Sequence, residues 1–193
     1  MFALTEAKLA VLIRPAGYFN VKARRLRSFL RVLVERYDGN LNRLIAGDTA
    51  LVRGRLLAIH DIGPETADSM LLYAGGHHSF VIDAYTKRVF QRHGWTGANR
   101  KSEIRNPKSA KHVRKLKARE ARFKVRGSAS DGLSYNKLKA LCERVLNHKA
   151  GKALLGYWQD YHAQLVMVGK HFCRTRNPLC NQCPLRPLLP NCD

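Results

Sequence analysis

The chain has 193 residues, of which 35 are Lys or Arg and 14 are Asp or Glu, for a formal net charge of +21. That length holds one substantial domain, or one with a small appendage, and an apolar share of 45% is ordinary for a globular protein. The cationic excess points to a polyanion, most economically nucleic acid, while an aromatic share of 8% argues against a long stacking platform for single strands.

No stretch reaches the ~20 apolar residues of a membrane-spanning helix, and no charged-apolar-cleavage pattern opens the chain, so a soluble intracellular protein is expected. Thr5 to Ile13 reads as a short helix ended by Pro15 and Gly17. Asn20 is placed to cap the next helix, in which Val21, Leu26, Phe29, Leu30, Leu33 and Val34 recur at helical spacing. Lys22, Arg24, Arg25, Arg27 and Arg31 line the rest of that helix, as a solvated face or a contact for phosphates. Leu41 to Ile45 and Thr49 to Ile59 read as two more short helices. An all-α fold is predicted, since only the apolar run Phe80 to Ile82 resembles a strand.

The second of these short helices runs into Asp61-Ile62-Gly63-Pro64, and another begins at Glu65-Thr66. Gly63 is expected to supply a positive φ, and Pro64 loses no needed donor in a first helical turn. Such a helix-hairpin-helix can aim its turn amides and the following helix N-terminus at one phosphate. The run Phe80-Val81-Ile82 then ends in Asp83, which opens a helix through Val89. Taken alone, Asp83 reads as no more than an N-cap.

Gly97 to Ser130 holds twelve Lys or Arg against two Glu, a net +10 that is nearly half the charge of the chain. Ala110 to Val125 within it reads either as a helix or as a basic loop, and both can bind phosphates without reading bases. Two helices follow, Leu133 to Leu146 and Ala153 to Phe172, with His162 expected as a hydrogen-bonded core residue and Cys142 as a buried small one. The chain closes on Cys173, Cys180, Cys183 and Cys192, spaced C-x6-C-x2-C-x8-C. Four cysteines so close read as a metal site rather than as disulfides, and both zinc and a [4Fe–4S] cluster accept four thiolates.

Three of these blocks, in this order, resemble the helix-hairpin-helix DNA glycosylase superfamily, in its endonuclease III-like form. The blocks are Leu56 to Ala67, Ile82 to Arg92 and the cysteine cluster, and the resemblance spans about 150 of the 193 residues. It implies a helical barrel, base-excision repair of double-stranded DNA, and a monomer in the cytoplasm, associated with the nucleoid. Asp83 matches the catalytic aspartate. Ile62, Gly63, Glu65, Thr66, Lys87 and Arg88 fall in the segments expected to meet DNA. The cysteine loop implies a [4Fe–4S] cluster, with zinc as the alternative, although the last gap is x8 where the family has x5. Asp61 stands where the family has its first hairpin glycine; an aspartate can adopt positive φ at modest cost, so the turn is expected to survive, but its charge would face the bound phosphate. The family's further N-terminal helices have no counterpart in the sixteen residues before Gly17, so a barrel without them is expected.

The form of the hairpin around Glu65 is most similar to the branch that excises alkylated purines such as 3-methyladenine. Relatives that also nick the strand carry a lysine at that position, so a monofunctional glycosylase is expected. An endonuclease III-type enzyme acting on oxidised pyrimidines, a non-catalytic DNA-binding relative and an RNA-binding factor are the alternatives. Boundaries are expected near residues 96, 132 and 172, separating a helical core, a basic insertion, a pair of helices and the cysteine loop.

Overall fold

The computed structural model describes residues 2–96 and 133–189; the basic stretch Gly97 to Ser130 and Cys192 lie outside them. The described residues form eight α-helices and no strand. In order these are α1 (Glu6–Leu12), α2 (Phe19–Tyr37), α3 (Leu41–Ile45), α4 (Thr49–Leu57), α5 (Pro64–Tyr73), α6 (Ala84–Arg92), α7 (Tyr135–Val145) and α8 (Gly151–His171). The all-α expectation holds. Phe80 to Ile82 is buried as irregular chain.

Local chemistry explains most of the helix starts. Thr5, Asn40, Asp48 and Asp83 each accept a backbone N–H from three residues on, satisfying a donor that the first turn leaves open. α2 is the exception to the sequence reading. It begins at Phe19 rather than after an Asn20 cap, because Gly17 and Tyr18 turn the chain through positive φ of 64° and 48°.

The helices divide into two compact units, Met1–Val81 with Cys142–His162 and Ile82–Leu141 with Ala163–Asp193. In the first, Leu33, Leu44, Val52, Leu56, Ile59, Ile62, Ala67 and Leu71 form one apolar core. Fully burying a side chain such as Leu56 or Leu71 contributes about 1.5–3 kcal/mol, so this cluster fixes the angle at which α4 enters the hairpin and α5 leaves it. A polar lock reinforces it. The carboxylate of Asp68, fully buried on α5, takes two hydrogen bonds from Arg53 on α4, at 2.8 and 3.0 Å, and one from Ser79 Oγ at 2.6 Å.

The same unit carries a polar and aromatic cluster around His162. Its Nδ1 lies 2.7 Å from the Tyr73 hydroxyl, and the ring is buried against Phe80, as a core histidine would be. Gln159 donates to the Leu72 carbonyl, and Glu143 accepts the Phe80 amide, which gives the buried run after Ser79 a partner it would otherwise lack. Burial pushes the Tyr161 hydroxyl above its ordinary 10.0, with nearby Cys142 and Tyr157 adding to the shift.

The second unit is organised by α6. Val89 and Phe90 are buried along it, and its arginines reach the chain around Cys173. On the end of α8, Gly169 meets Tyr85 of α6.

Candidate nucleic-acid interface and catalytic aspartate

The hairpin between α4 and α5 belongs to the first unit. The chain reverses at Asp61, the residue with positive φ (69°), and the turn closes through the Ile62 amide on the Ile59 carbonyl at 3.1 Å. Gly63, expected to supply that φ, instead sits at φ −88°, ψ 173° as the N-cap of α5. The correction has a steric cause: Pro64 follows, and the residue before a proline is driven into extended backbone. Gly63 faces open space where a Cβ would stand, and no side chain caps α5. Glu65 and Thr66 are exposed beside it, while Ile62 is buried with its amide engaged in the turn.

Asp83 belongs to the second unit. It is buried to 9% exposure, and its Oδ1 accepts the Thr86 amide at 2.7 Å, which caps α6 and fixes the carboxylate's orientation. A carboxylate at a helix N-terminus is favoured by the partial positive charge there. The Ile82 amide donates to the Tyr135 hydroxyl at 3.5 Å. Lys87, one turn beyond Asp83, holds its ammonium 5.6 Å from the centre of the Tyr135 ring.

Arg88 turns toward the protein. Its Nε donates to the Cys173 carbonyl at 2.6 Å and Nη2 to the Gly169 carbonyl at 2.9 Å, with its plane over Tyr85. Arg92 follows one turn on, donating to the carbonyls of Arg174 and Thr175 and to the Cys173 sulfur at 3.3 Å.

Cys173, Cys180 and Cys183 line one small, partly open hollow with Arg92, His93, Phe172 and Leu189. All three are free thiols. Among the described residues no group of three or more His, Cys, Asp or Glu is placed to hold a metal ion, and Cys192 is not among them. The residue chemistry suits a thiolate-bound metal, since three cysteines line one hollow and Arg92 offers a charged donor to the sulfur of Cys173.

The family comparison decides what this chain is. A model described as HhH-GPD superfamily base excision DNA repair protein matches residues 1–115. The chain belongs to that superfamily. A protein of Methanocaldococcus jannaschii provisionally named a DNA repair glycosylase (MJ1434) is 36% identical over 183 residues, covering 94% of this chain and 65% of its own length. Endonuclease III of Sulfolobus acidocaldarius is 29% identical over 174 residues, covering 90% and 58%. This HhH-GPD chain thus spans about two thirds or less of these relatives. A solved structure of a non-covalent endonuclease III–DNA complex superposes on 97% of the chain and 65% of its own, with a TM-score of 0.59 at 20% identity. A thermostable thymine-DNA glycosylase matches equally well, with a TM-score of 0.59 and 20% identity over 97% of this chain and 66% of its own. Both likenesses concern the fold, the endonuclease III-like helical architecture that the sequence blocks implied.

Sequence reading found the hairpin, Asp83 and the cysteines because each is a short local pattern. It missed the partners of Asp61, Asp68 and Arg92. Arg24, Arg53, Ser79, Cys173, Arg174 and Thr175 lie 11 to 83 residues away from them along the chain and leave no local signal.

Proposed function

We propose that this chain is a DNA glycosylase that hydrolyses the N-glycosidic bond of a damaged base in double-stranded DNA, with alkylated purines favoured. The observation that carries the reading is Asp83, a buried carboxylate oriented by the Thr86 amide at 2.7 Å, in the segment whose resemblance to the superfamily implies the catalytic aspartate. As the bond breaks, the electron pair leaves with the base and positive charge builds on the sugar. Asp83 stabilises that charge and takes a proton from the water that adds to the sugar carbon. The target nucleotide must leave the stack to reach a buried acid, and the backbone must be gripped while it does. We assign that grip to the hairpin at Ile62, Gly63, Glu65 and Thr66 and to the cation of Lys87, with Arg88 holding the helix that carries Asp83.

Glu65 supports a monofunctional enzyme. A carboxylate cannot form the imine through which an amine nucleophile nicks the strand. Cys173, Cys180, Cys183 and Cys192 would hold a [4Fe–4S] cluster, with zinc second, and its contribution would be to tie the C-terminal loop. The protein would act as a monomer on chromosomal DNA in the cytoplasm. No helix among the described residues is long and apolar enough to cross a membrane.

The runner-up is an endonuclease III-type glycosylase that also nicks the strand at oxidised pyrimidines. Lys87 favours it, as the amine one turn beyond Asp83. Single-turnover base release from duplexes carrying 3-methyladenine, thymine glycol or a mismatched thymine tests both. Release from the alkylated duplex with an intact strand supports the first. Nicking without alkali, with a borohydride-trapped adduct, supports the second. Duplex binding with no release from any lesion would mark a non-catalytic relative. Deleting Gly97 to Ser130 should weaken binding and flatten its dependence on salt, because fewer counterions are displaced.

A further inference from the structure

Arg24 on α2 and Asp61 at the hairpin turn are 37 residues apart in sequence, yet Arg24 Nε stands 3.3 Å from Asp61 Oδ2. The same oxygen has His60 Nδ1 at 3.2 Å. Two observations make this pair unusual. Asp61 is a non-glycine residue at φ 69°, in the left-handed region, where an L side chain is strained. Its charge is also unnecessary to the turn, which closes through backbone alone, from the Ile62 amide to the Ile59 carbonyl.

The carboxylate therefore places an acceptor oxygen for Arg24 at the edge of the hairpin. A DNA phosphate docked on the hairpin would bring the same thing: an anionic oxygen within reach of the same guanidinium. Arg24 keeps 57% of its side chain exposed and Asp61 only 19%, so the arginine is the partner free to swing outward. Arg31 follows two turns later on the same side of α2, exposed as well, which extends the cationic edge away from the turn.

We propose that Arg24 is a phosphate ligand of the hairpin, and that Asp61 occupies its guanidinium as an internal competitor until DNA replaces it. The inference rests on reading the hairpin as a clamp for duplex DNA. Magnitudes favour exchange over a bridge that persists in the complex. An exposed ion pair contributes at most about a fivefold factor. Each phosphate neutralised releases about 0.9 counterion, and this gain grows as salt is lowered.

The test uses the full chain and an undamaged duplex, with affinity measured across a range of KCl for wild type, Arg24→Ala, Asp61→Asn and the double variant. Asparagine keeps the left-handed backbone accessible, so only the charge is removed. Arg24→Ala is expected to weaken binding and reduce the salt slope by about 0.9. Asp61→Asn is expected to tighten binding. In its presence the loss from Arg24→Ala should grow about two- to fivefold, because the free protein no longer gives up an ion pair on binding DNA. An unchanged salt slope in Arg24→Ala overturns the proposal, as does an equal loss in both backgrounds. A lowered melting temperature with an unchanged slope would leave Arg24 a purely structural role. If wild type has no measurable affinity for duplex, the clamp reading fails and takes this inference with it.

Discussion

Gly169 has no room for a side chain beside Tyr85: a Cβ built on it would lie 2.5 Å from the ring's Cδ1 and 2.6 Å from Tyr85 Cβ. Neither atom is the far end of a flexible chain, so the end of α8 and the start of α6 would have to separate. Gly169→Ala should therefore cost about 1–3 kcal/mol, the range for overpacking a tight contact, read as a lower urea midpoint. Ordinary helix propensity predicts the opposite sign, because alanine stabilises a helix interior over glycine by about 1 kcal/mol. An increase in stability would show that the contact relaxes freely.

Asp83→Asn should abolish base release and leave duplex affinity intact. The amide oxygen can still accept the Thr86 N–H, so the cap and the fold persist while the charge and the proton acceptor are lost. Circular dichroism checks the fold and single-turnover release checks the chemistry. Full activity would remove Asp83 from the mechanism.

Asp68→Asn attacks the lock between α4 and α5. Breaking a buried ion pair costs about 3–5 kcal/mol. Arg53 keeps 20% of its side chain in water, so the lower end is expected. A second consequence separates this from simple destabilisation. The hairpin joins the two locked helices, so duplex affinity should fall even well below the melting temperature. Unaltered affinity in the folded variant would show that the apolar core alone sets the hairpin.

Protein purified without air should be brown, with broad absorption near ~400 nm from iron–thiolate charge transfer. Cys183→Ser should bleach it and loosen the C-terminal loop to proteolysis, because metal binding and folding of the loop are linked. A colourless wild type with one zinc per chain would replace the cluster with zinc.

The Tyr161 hydroxyl gives a pH dependence. Its folded pKa lies above the unfolded value of 10.0, so above that pH the unfolded chain has lost a proton that the folded one retains. Stability should be level below about pH 10 and fall as pH rises through the folded value. Tyr161→Phe should remove its share of that fall, and an identical alkaline profile in the variant would assign it to other groups.

Nearly every helix was legible because apolar period and cap residues are local. Asp83 reads as an N-cap in the sequence and caps its helix in the fold, and Thr5, read as the start of the first helix, caps it. The start of α2 was misread because a Gly-Tyr pair in left-handed backbone has no side-chain signature. At the hairpin, Asp61 carries the positive φ that its side chain tolerates in place of a glycine, while Gly63, whose freedom also suggested it, is held extended before Pro64. Arg88 was expected to meet DNA, since nothing in its neighbours shows that carbonyls 81 and 85 residues later receive its donors.

Those late carbonyls have a consequence for how the protein is made. At about 5–20 residues per second, synthesis needs roughly 4 to 17 s to travel from Arg88 and Arg92 to the acceptors at Gly169, Cys173, Arg174 and Thr175. Throughout that interval the helix opened by Asp83 is outside or leaving the ribosome with both guanidiniums still in water. The nascent chain already carries its acid and most of its positive charge before the segment that anchors that helix exists. Maturation of this unit therefore waits on acceptors translated 81 to 85 residues after the arginine that uses them.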